Sequence, residues 1–312
     1  MSPTVSVVIP TKNAGCMFRD VLQRLRQQQS GDRLQIVVVD SGSTDDTLLH
    51  AKNFGAELRT IPPETFNHGA TRNLGISCSR GDIVVLMTQD AVPGNESLLR
   101  HLVEPFEDPQ VAGAYARQVP RPEADILTKR NLNGAATGQT CPEVRWIANR
   151  AKYEALSPME RYLFCSFDNV CSAVRRIAWE QIAFPPADFG EDIRWSKCIL
   201  EAGWKIAYQP LAEVVHSHRR AIGYEYKRTY LCHRTLYDLF GLSAIPSLAH
   251  AVRCTCLSLA RDSTYVLKHE TSAVRAAGLL LKLPALSVAT TFAQYRGARD
   301  ARRRRARTYR EI

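Results

Sequence analysis

The chain has 312 residues and carries 41 Lys and Arg against 31 Asp and Glu, which gives a net charge of +10. Hydrophobic residues make up 45% of it and charged residues 23%, so the chain can bury a core and is neither disordered nor of low complexity. Residues 296–312 contain eight arginines and only two acidic residues. Most of the net positive charge therefore lies in the C-terminal tail.

The nine cysteines are scattered, and none forms the C-x-x-C pair of a zinc or redox motif. The N-terminal residues lack the basic and apolar regions of a secretory signal peptide, so we expect a reducing, cytoplasmic location. Near the C-terminus, Lys282 and Pro284 interrupt the apolar stretch GLLLKLPALSVATTF, which falls short of the roughly 20 residues that span a bilayer. We therefore expect no transmembrane helix.

The N-terminal third alternates strands with helices. The segments VSVVIP, LQIVVVD, LRTIP and DIVVLM are typical of strands, and the segments between them have helical spacing. This alternation predicts a parallel sheet that binds its ligand beyond the carboxyl ends of the strands. The polar residues predicted at those ends are Thr11, Lys12, Asn13, Asp40 and Asp90.

From about Val111 the pattern changes. VAGAYARQV is a predicted strand, and residues 121–160 show no clear period, so we interpret them as a long loop with helices that could contact substrate. A helix, IRWSKCILEAG, and a strand, WKIAYQP, come next. Residues 226–295 are predicted to be helical, with Pro246 and Pro284 as breaks.

Acidic residues in three segments are candidates for chemistry. Asp40 follows a buried strand and could accept a hydrogen bond from a nucleotide base or ribose, and Asp90 follows another strand and could hold a divalent cation beside a diphosphate. Glu191 and Asp192 lie at the start of a predicted helix and could supply a general base. Each of these residues could instead cap a helix or stabilise a turn.

Three basic or imidazole side chains are weaker candidates. His216 and His218 occupy alternate positions at a predicted strand end, where they point the same way and could include a metal ligand. Arg72 could contact a phosphate through its planar guanidinium, although an arginine near a helix start is more often a surface residue. The chain lacks the glycine-rich dinucleotide fingerprint and the P-loop motif, which argues against the commonest nucleotide-binding enzymes.

Several motifs occur in a fixed order, namely VSVVIPTKN, IVVVDSGSTDDT, HGATRNLGISCSRGDIVVLMTQDAVP and GEDIRWSKCILEAGWKIAYQP. Together they resemble the catalytic domain of family 2 glycosyltransferases over roughly residues 3–220. The finer features FNHGATRN, FDNVCSAVRR, VVHSH and TQDA resemble the branch of bacterial rhamnosyltransferases that builds surface polysaccharides such as O-antigen. The resemblance implies an α/β GT-A fold with a mostly parallel central sheet, followed by a C-terminal helical region.

The resemblance also implies the chemistry. Such an enzyme is inverting and would move L-rhamnose from dTDP-L-rhamnose with Mg²⁺ or Mn²⁺. Asp192 matches the catalytic base, with Glu191 as its neighbour and alternative, and Asp90 with His216 or His218 would hold the metal. Donor binding would fall to Pro10, Thr11, Asn13, Asp40, Arg72, Thr88, Gln89 and Asp90. Thr88 stands where the family has the first Asp of its D-x-D motif, which would alter the ribose contact.

We expect a catalytic domain over residues 1–225, divided into a nucleotide-binding half (1–113) and a half for the acceptor and the base (114–225). Residues 226–312 would form a helical region that associates with membrane, because apolar clusters there alternate with Lys and Arg before the arginine-rich tail. This predicts a peripheral protein on the inner face of the bacterial inner membrane. A solvated, inert tail and helices that pair two subunits in a homodimer are the alternatives.

The acceptor implied by the resemblance is a saccharide linked to a polyprenyl diphosphate. A UDP- or GDP-sugar donor is an alternative, as is a non-catalytic relative that binds a membrane or nucleic acid. The presence of Asp40, Asp90 and Asp192 together argues against a non-catalytic relative. Because no nucleic-acid-binding motif accompanies the arginines, we expect no nucleic-acid partner.

Overall fold

The computed structural model of the chain describes residues 3–28, 34–187, 189–218 and 221–303. The chain divides into two compact units. The first comprises Met1–Arg121, Leu132–Tyr153 and Phe164–Ser217, and the second comprises Pro122–Asn131, Glu154–Leu163 and His218–Ile312. The second unit thus takes up two short segments in addition to the C-terminal helices. Four arginines of the tail lie outside the described residues, namely Arg304, Arg305, Arg307 and Arg310.

The first unit is built on one mixed sheet. Its strands within the described residues are β1 (Val5–Thr11), β2 (Gln35–Asp40), β3 (Glu57–Thr60), β4 (Ile83–Met87), β5 (Val92–Pro93), β6 (Val111–Val119), β7 (Glu143–Arg145), β8 (Cys171–Arg175) and β9 (Lys205–Val215). Their order is β3-β2-β1-β4-β8-β6-β9-β5, and β7 pairs with β9. Strands β3, β2, β1 and β4 are parallel, as predicted, whereas β8 runs antiparallel to both β4 and β6.

The helices of the described residues surround this sheet or belong to the second unit. They are α1 (Gly15–Arg26), α2 (Thr47–Asn53), α3 (His68–Cys78), α4 (Leu98–Val103), α5 (Ile126–Asn133), α6 (Arg150–Ala155), α7 (Pro158–Phe164), α8 (Arg176–Gln181), α9 (Glu191–Glu201), α10 (Ile222–Phe240), α11 (Leu248–His269) and α12 (Ala273–Arg302). Short 3-10 turns cover Pro63–Thr65, Glu104–Glu107 and Ala136–Gly138.

The parallel strands form the core of the first unit. Val8, Val38 and Val85 lie in three adjacent strands and are fully buried, which explains why these strands appear as continuous apolar runs in the sequence. Helix α1 covers the sheet with apolar residues at helical spacing, namely Phe18, Val21, Leu22 and Leu25.

The carboxyl ends of the parallel strands meet at one edge of the sheet. Thr11, the last residue of β1, is in register with Asp40, the last residue of β2. Strand β4 ends at Met87 and leads directly into Thr88 and Asp90. The polar residues predicted at strand ends therefore share one edge of the sheet.

The second unit contains α10, α11 and α12. A small apolar cluster of Leu127, Val266 and Leu283 helps to hold it together. Pro246 lies between α10 and α11, as predicted, but the predicted break at Pro284 is wrong because α12 continues through it. A proline removes only one helical hydrogen bond and crowds the preceding turn. The buried residues Leu283 and Ser287 hold the helix on both sides of that defect.

Helix α12 contradicts the expectation that the apolar stretch near the C-terminus is too short to span a membrane. Among the described residues it is one helix that is long and apolar enough to cross a bilayer by length and composition, with a mean hydropathy of 1.5 over an 18-residue window. Core helices of soluble proteins can pass the same test, but only 22% of this window is buried. Lys282 and Pro284 therefore do not shorten the apolar helix as the sequence suggested.

Candidate active site

Asp40 organises the loop that follows β2. Its Oδ1 accepts a hydrogen bond from the Thr11 hydroxyl at 2.8 Å, and its Oδ2 accepts bonds from the backbone N–H groups of Gly42 at 2.9 Å and Ser43 at 2.8 Å. Asp40 is fully enclosed. Because a buried carboxylate with several donors is held in one orientation, Asp40 fixes the loops after β1 and β2 relative to each other.

Further hydrogen bonds join these two loops. The Asn13 side-chain oxygen accepts a bond from the Thr44 N–H at 2.8 Å, and the Asn13 N–H donates to the Ser43 hydroxyl at 2.8 Å. Asn13 has a φ of +46°, in the left-handed region that asparagine tolerates. Pro10 lies opposite Val39 in the strand pair that leads into the loops. The predicted nucleotide-binding edge is therefore a connected set of loops.

Gln89 connects the loop after β1 to the segment that carries Asp90. Its Oε1 accepts a bond from the Lys12 N–H at 2.7 Å, and its Nε2 donates to the Lys12 carbonyl at 3.2 Å. The preceding residue, Thr88, donates its backbone N–H to the Val170 carbonyl at 3.0 Å. The Thr88 Oγ1 is buried and has no hydrogen-bond partner among the described residues. Asp90 is therefore held close to the loop after β1.

Asp90, His216 and His218 come together beyond the strand ends. Each offers a ligand atom, and these atoms all lie within 4.8 Å of one another. The distance between Asp90 Oδ2 and His216 Nε2 is 3.6 Å. A carboxylate oxygen and two imidazole nitrogens form a donor set that a divalent cation can use. These three side chains can therefore act as ligands of one divalent cation.

Arg121 supports this cluster, although the sequence did not single it out. Its Nη2 donates to the Asp90 carbonyl at 2.7 Å, and its Nε donates to the Ser217 carbonyl at 3.1 Å. One guanidinium thus joins the segment of Asp90 to the residue between His216 and His218. These carbonyls lie 31 and 96 residues away along the chain. No local sequence pattern could have indicated such a role.

Glu191 and Asp192 form the first turn of α9. Gly190, directly before them, has a φ of +72°, a left-handed conformation that glycine adopts without strain. Glu191 is buried, and its Oε1 lies 2.9 Å from Arg72 Nη1. The same oxygen accepts a hydrogen bond from Asn169 Nδ2 at 3.1 Å. Oε1 of Glu191 is therefore held by two side chains of the protein.

The two adjacent carboxylates differ in proton affinity. Burial opposes ionisation of Glu191, but the Arg72 guanidinium holds the pKa of Glu191 below its usual value. Burial raises the pKa of Asp192, and the nearby carboxylates of Glu191 and Asp168 raise it further. Asp192 is only half-buried and so keeps contact with solvent. Asp192 therefore combines the higher proton affinity with access for a ligand.

The FNHGATRN segment packs against the residues that lead into α9. A Cβ at Gly69 would lie 2.0 Å from the Pro185 carbonyl oxygen, so the glycine permits a close approach. Asn73 accepts a hydrogen bond from the Phe184 N–H at 3.1 Å and donates one to the Phe184 carbonyl at 2.8 Å. Arg72, expected near the donor phosphates, is buried with its Nη1 on the first residue of α9. In this structure the segment supports the start of α9.

Sequence comparison identifies the family of this chain and several of its relatives. The model of glycosyl transferase family 2 matches residues 6–182, which is more than half of the chain. The chain is 32% identical over 231 residues to the O-antigen chain rhamnosyltransferase RfbN of Salmonella typhimurium, covering 72% of this chain and 69% of RfbN. It is also 32% identical over 232 residues to the O-antigen chain rhamnosyltransferase WbaN of Salmonella anatum, covering 72% and 70%.

Solved structures share the fold at low sequence identity. The mannosyltransferase PcManGT from Pyrobaculum calidifontis, in complex with GDP-Man and Mn²⁺, has a TM-score of 0.62 at 20% identity and covers 98% of this chain and 89% of its own. Glucosyl-3-phosphoglycerate synthase from Mycobacterium tuberculosis, in complex with Mn²⁺, UDP and glucosyl-3-phosphoglycerate, has a TM-score of 0.54 at 20% identity, covering 79% and 83%. The predicted GT-A fold is confirmed, and the chain belongs to glycosyl transferase family 2.

Proposed function

We propose that this glycosyltransferase moves L-rhamnose from dTDP-L-rhamnose to a lipid-linked saccharide during synthesis of a bacterial surface polysaccharide. The observation that carries this proposal is the 32% identity to two O-antigen chain rhamnosyltransferases along 72% of the chain. The acceptor would be a growing saccharide on a polyprenyl diphosphate, with one of its sugar hydroxyls as the attacking group.

In this proposal Asp192 is the general base. The acceptor oxygen forms a bond to the anomeric carbon of the donor as the bond from that carbon to the diphosphate breaks, which inverts the configuration. Asp192 takes the proton that the hydroxyl loses, and its raised pKa gives it a higher affinity for that proton than an ordinary aspartate has. Glu191, paired with Arg72, supplies a fixed negative charge beside it.

The donor would lie on the loops after β1 and β2. Thr11, Asn13 and Asp40 would form the side of the site that receives the base and ribose, with the buried Asp40 fixing the two loops. Pro10, Thr88 and Gln89 would complete this side of the site, and Gln89 holds the Lys12 backbone there. Asp90 with His216 and His218 would hold Mg²⁺ or Mn²⁺, which when bound neutralises charge on the leaving diphosphate. Arg72 would act through Glu191 and not on the phosphates.

A donor screen by thermal shift tests this function. With Mn²⁺ or Mg²⁺ present, dTDP-L-rhamnose should raise the melting temperature of the protein by mass action. When a lipid-linked acceptor is then added, the enzyme should release dTDP. The second candidate is another nucleotide sugar, since the two solved relatives were determined with GDP-Man and with UDP. A shift with a GDP- or UDP-sugar but none with dTDP-L-rhamnose would overturn the rhamnosyltransferase assignment.

We also propose that α12 lies against the inner face of the bacterial inner membrane. Val274 and Leu281 are both 84% exposed on this helix, although they are apolar. Several arginines follow near its C-terminal end, namely Arg296, Arg299, Arg302 and Arg303. Exposed apolar side chains, followed farther along the same helix by a cluster of arginines, suit the acyl region and the anionic headgroups of a membrane surface. Such a position would bring the enzyme to a lipid-linked acceptor.

A further inference from the structure

A chain of polar side chains runs from the candidate metal site to the segment before β8. Asp90 Oδ2 lies 3.6 Å from His216 Nε2, and His216 Nδ1 lies 2.9 Å from Gln118 Oε1. Gln118 Nε2 donates to Asp168 Oδ2 at 2.7 Å, and Asp168 Oδ1 accepts the Val170 N–H at 2.7 Å. Gln118 and His216 are both buried, so water competes little for these contacts.

The backbone places Gln118 and His216 side by side. Strands β6 and β9 are parallel, with Val119 in register with Val215, and the His216 N–H donates to the Val119 carbonyl at 2.9 Å. The pairing shifts register between Ala116 and Arg117. Such an irregularity changes the direction in which the following side chains point, and irregularities of this kind are common beside active sites. The pairing of β6 with β9 therefore determines the position of Gln118 beside His216.

The donors and acceptors in this row of side chains determine which nitrogen of His216 carries the hydrogen. An ionised carboxylate only accepts hydrogen bonds, so Asp168 requires the NH₂ group of Gln118 to face it. The amide oxygen of Gln118 must then face His216, and because this oxygen also only accepts, His216 Nδ1 must carry a hydrogen. A neutral imidazole has one N–H, so the lone pair is left on Nε2. That nitrogen is the one that faces Asp90.

We infer that Gln118 and Asp168 are positioning residues that fix His216 in the tautomer able to ligate a cation through Nε2. The inference rests on the proposed metal site of Asp90, His216 and His218. Partners of this kind, which orient a ligating histidine through its other ring nitrogen, typically change metal affinity by about 10- to 100-fold when they are removed. The negative charge of Asp168 also raises the pKa of Asp192.

Asp168→Asn tests the inference with almost no change of shape. An asparagine can present its own NH₂ group to Gln118, which allows the Gln118 amide to turn over and donate to His216 Nδ1. The hydrogen of the neutral imidazole would then move to Nε2. In the metal-free full-length protein, ¹⁵N NMR of the histidines at a pH where they are neutral should show His216 protonated at Nδ1 in the wild type and at Nε2 in the variant.

Metal binding provides the second readout. Titration with Mn²⁺ alone should give a dissociation constant about 10- to 100-fold weaker for Asp168→Asn and for Gln118→Leu than for the wild type. The matched control is Gln35→Leu, because Gln35 donates to Glu57 Oε1 at 3.0 Å on strand β2, away from the metal site. This variant should bind Mn²⁺ like the wild type.

The outcomes separate the two proposals. If Asp168→Asn leaves the His216 tautomer and the Mn²⁺ affinity unchanged, or if Gln118→Leu binds Mn²⁺ as well as Gln35→Leu does, the inference is wrong. A change of tautomer without a change in affinity also overturns it. If instead the wild type and Asp90→Ala bind Mn²⁺ equally poorly, the proposed metal site fails, while the NMR spectra still show whether Gln118 and Asp168 fix the His216 tautomer.

Discussion

Arg72 and Glu191 form a buried ion pair at the start of α9. Arg72 Nη1 lies 2.9 Å from Glu191 Oε1, and the two side chains are 5% and 6% exposed. Neither charge can be removed alone without leaving the other uncompensated in the interior. Because Asp192 follows Glu191 directly, this pair helps to position the proposed base, and the Glu191 charge is one of the causes of its raised pKa.

Arg72→Met should therefore destabilise the protein strongly. We expect a loss of about 3–5 kcal/mol in the free energy of unfolding, measured by urea denaturation, because Glu191 is left as an unpaired buried charge. The double variant Arg72→Met with Glu191→Gln should lose less than the sum of the single variants. Arg80→Met is the control, since the Arg80 side chain is 75% exposed beside Glu57 and should cost less than about 1 kcal/mol. Equal losses for Arg72→Met and Arg80→Met would contradict the role of the buried pair.

Asp192→Asn should separate catalysis from stability. Without a proton acceptor, turnover should fall by about 10²- to 10⁴-fold, while donor affinity measured by calorimetry stays close to that of the wild type. The amide also removes the cost of ionising a carboxylate beside Glu191 and Asp168, so the melting temperature at neutral pH should stay the same or rise. Appreciable turnover by this variant would rule out Asp192 as the base.

The raised pKa of Asp192 predicts the acidic side of the pH profile. A general base must be deprotonated, so turnover at saturating donor and Mn²⁺ should fall as the pH drops through the pKa of Asp192, at a higher pH than for an ordinary aspartate. Asp168→Asn removes one of the neighbouring negative charges and should move this limb to lower pH. Asp82→Asn, which alters a carboxylate bonded to Thr4, is the control and should leave the limb in place. A limb that does not move in Asp168→Asn would contradict this assignment.

The exposed apolar residues of α12 predict membrane binding. Replacing Val274 and Leu281 together with serine should reduce flotation of the full-length protein with anionic liposomes several-fold, because less apolar surface is buried in the interface. Leu49→Ser is the control, since Leu49 is an exposed apolar residue on α2, outside the second unit. Equal flotation of the double variant and the control would refute the membrane role, and a change in sedimentation without a change in flotation would favour a dimer.

The sequence predicted the parallel half of the sheet because its three inner strands, β2, β1 and β4, are buried on both faces. Runs such as Val37 to Val39 have no polar interruption, so the strand and the polar residue at its end are both visible along the chain. The antiparallel strand β8 was not assigned its place between β4 and β6, because strand order depends on contacts across long connections. The continuation of α12 through Pro284 likewise depends on packing that local propensity does not describe.

The sequence indicated candidate site residues where an acidic side chain follows or begins a regular element. Asp90 and the Glu191–Asp192 pair stand out because each follows or begins a regular element. The partner of Arg72 could not be predicted, because the ion pair joins residues that are far apart in sequence and meet only when α3 packs beside α9. Gln118 was missed for the same reason, since its role depends on two partners from other parts of the chain.

The hydrogen bonds of the Gln89 amide connect the binding of a cation to the binding of a nucleotide. It holds the Lys12 backbone at both its N–H and its carbonyl, and the next residue is Asp90. A cation that orders the Asp90 segment should therefore also favour the arrangement of the loop after β1, which we propose receives the nucleotide. Linkage between two ligands is reciprocal, so the nucleotide should increase the affinity for the cation by the same factor as the cation increases the affinity for the nucleotide.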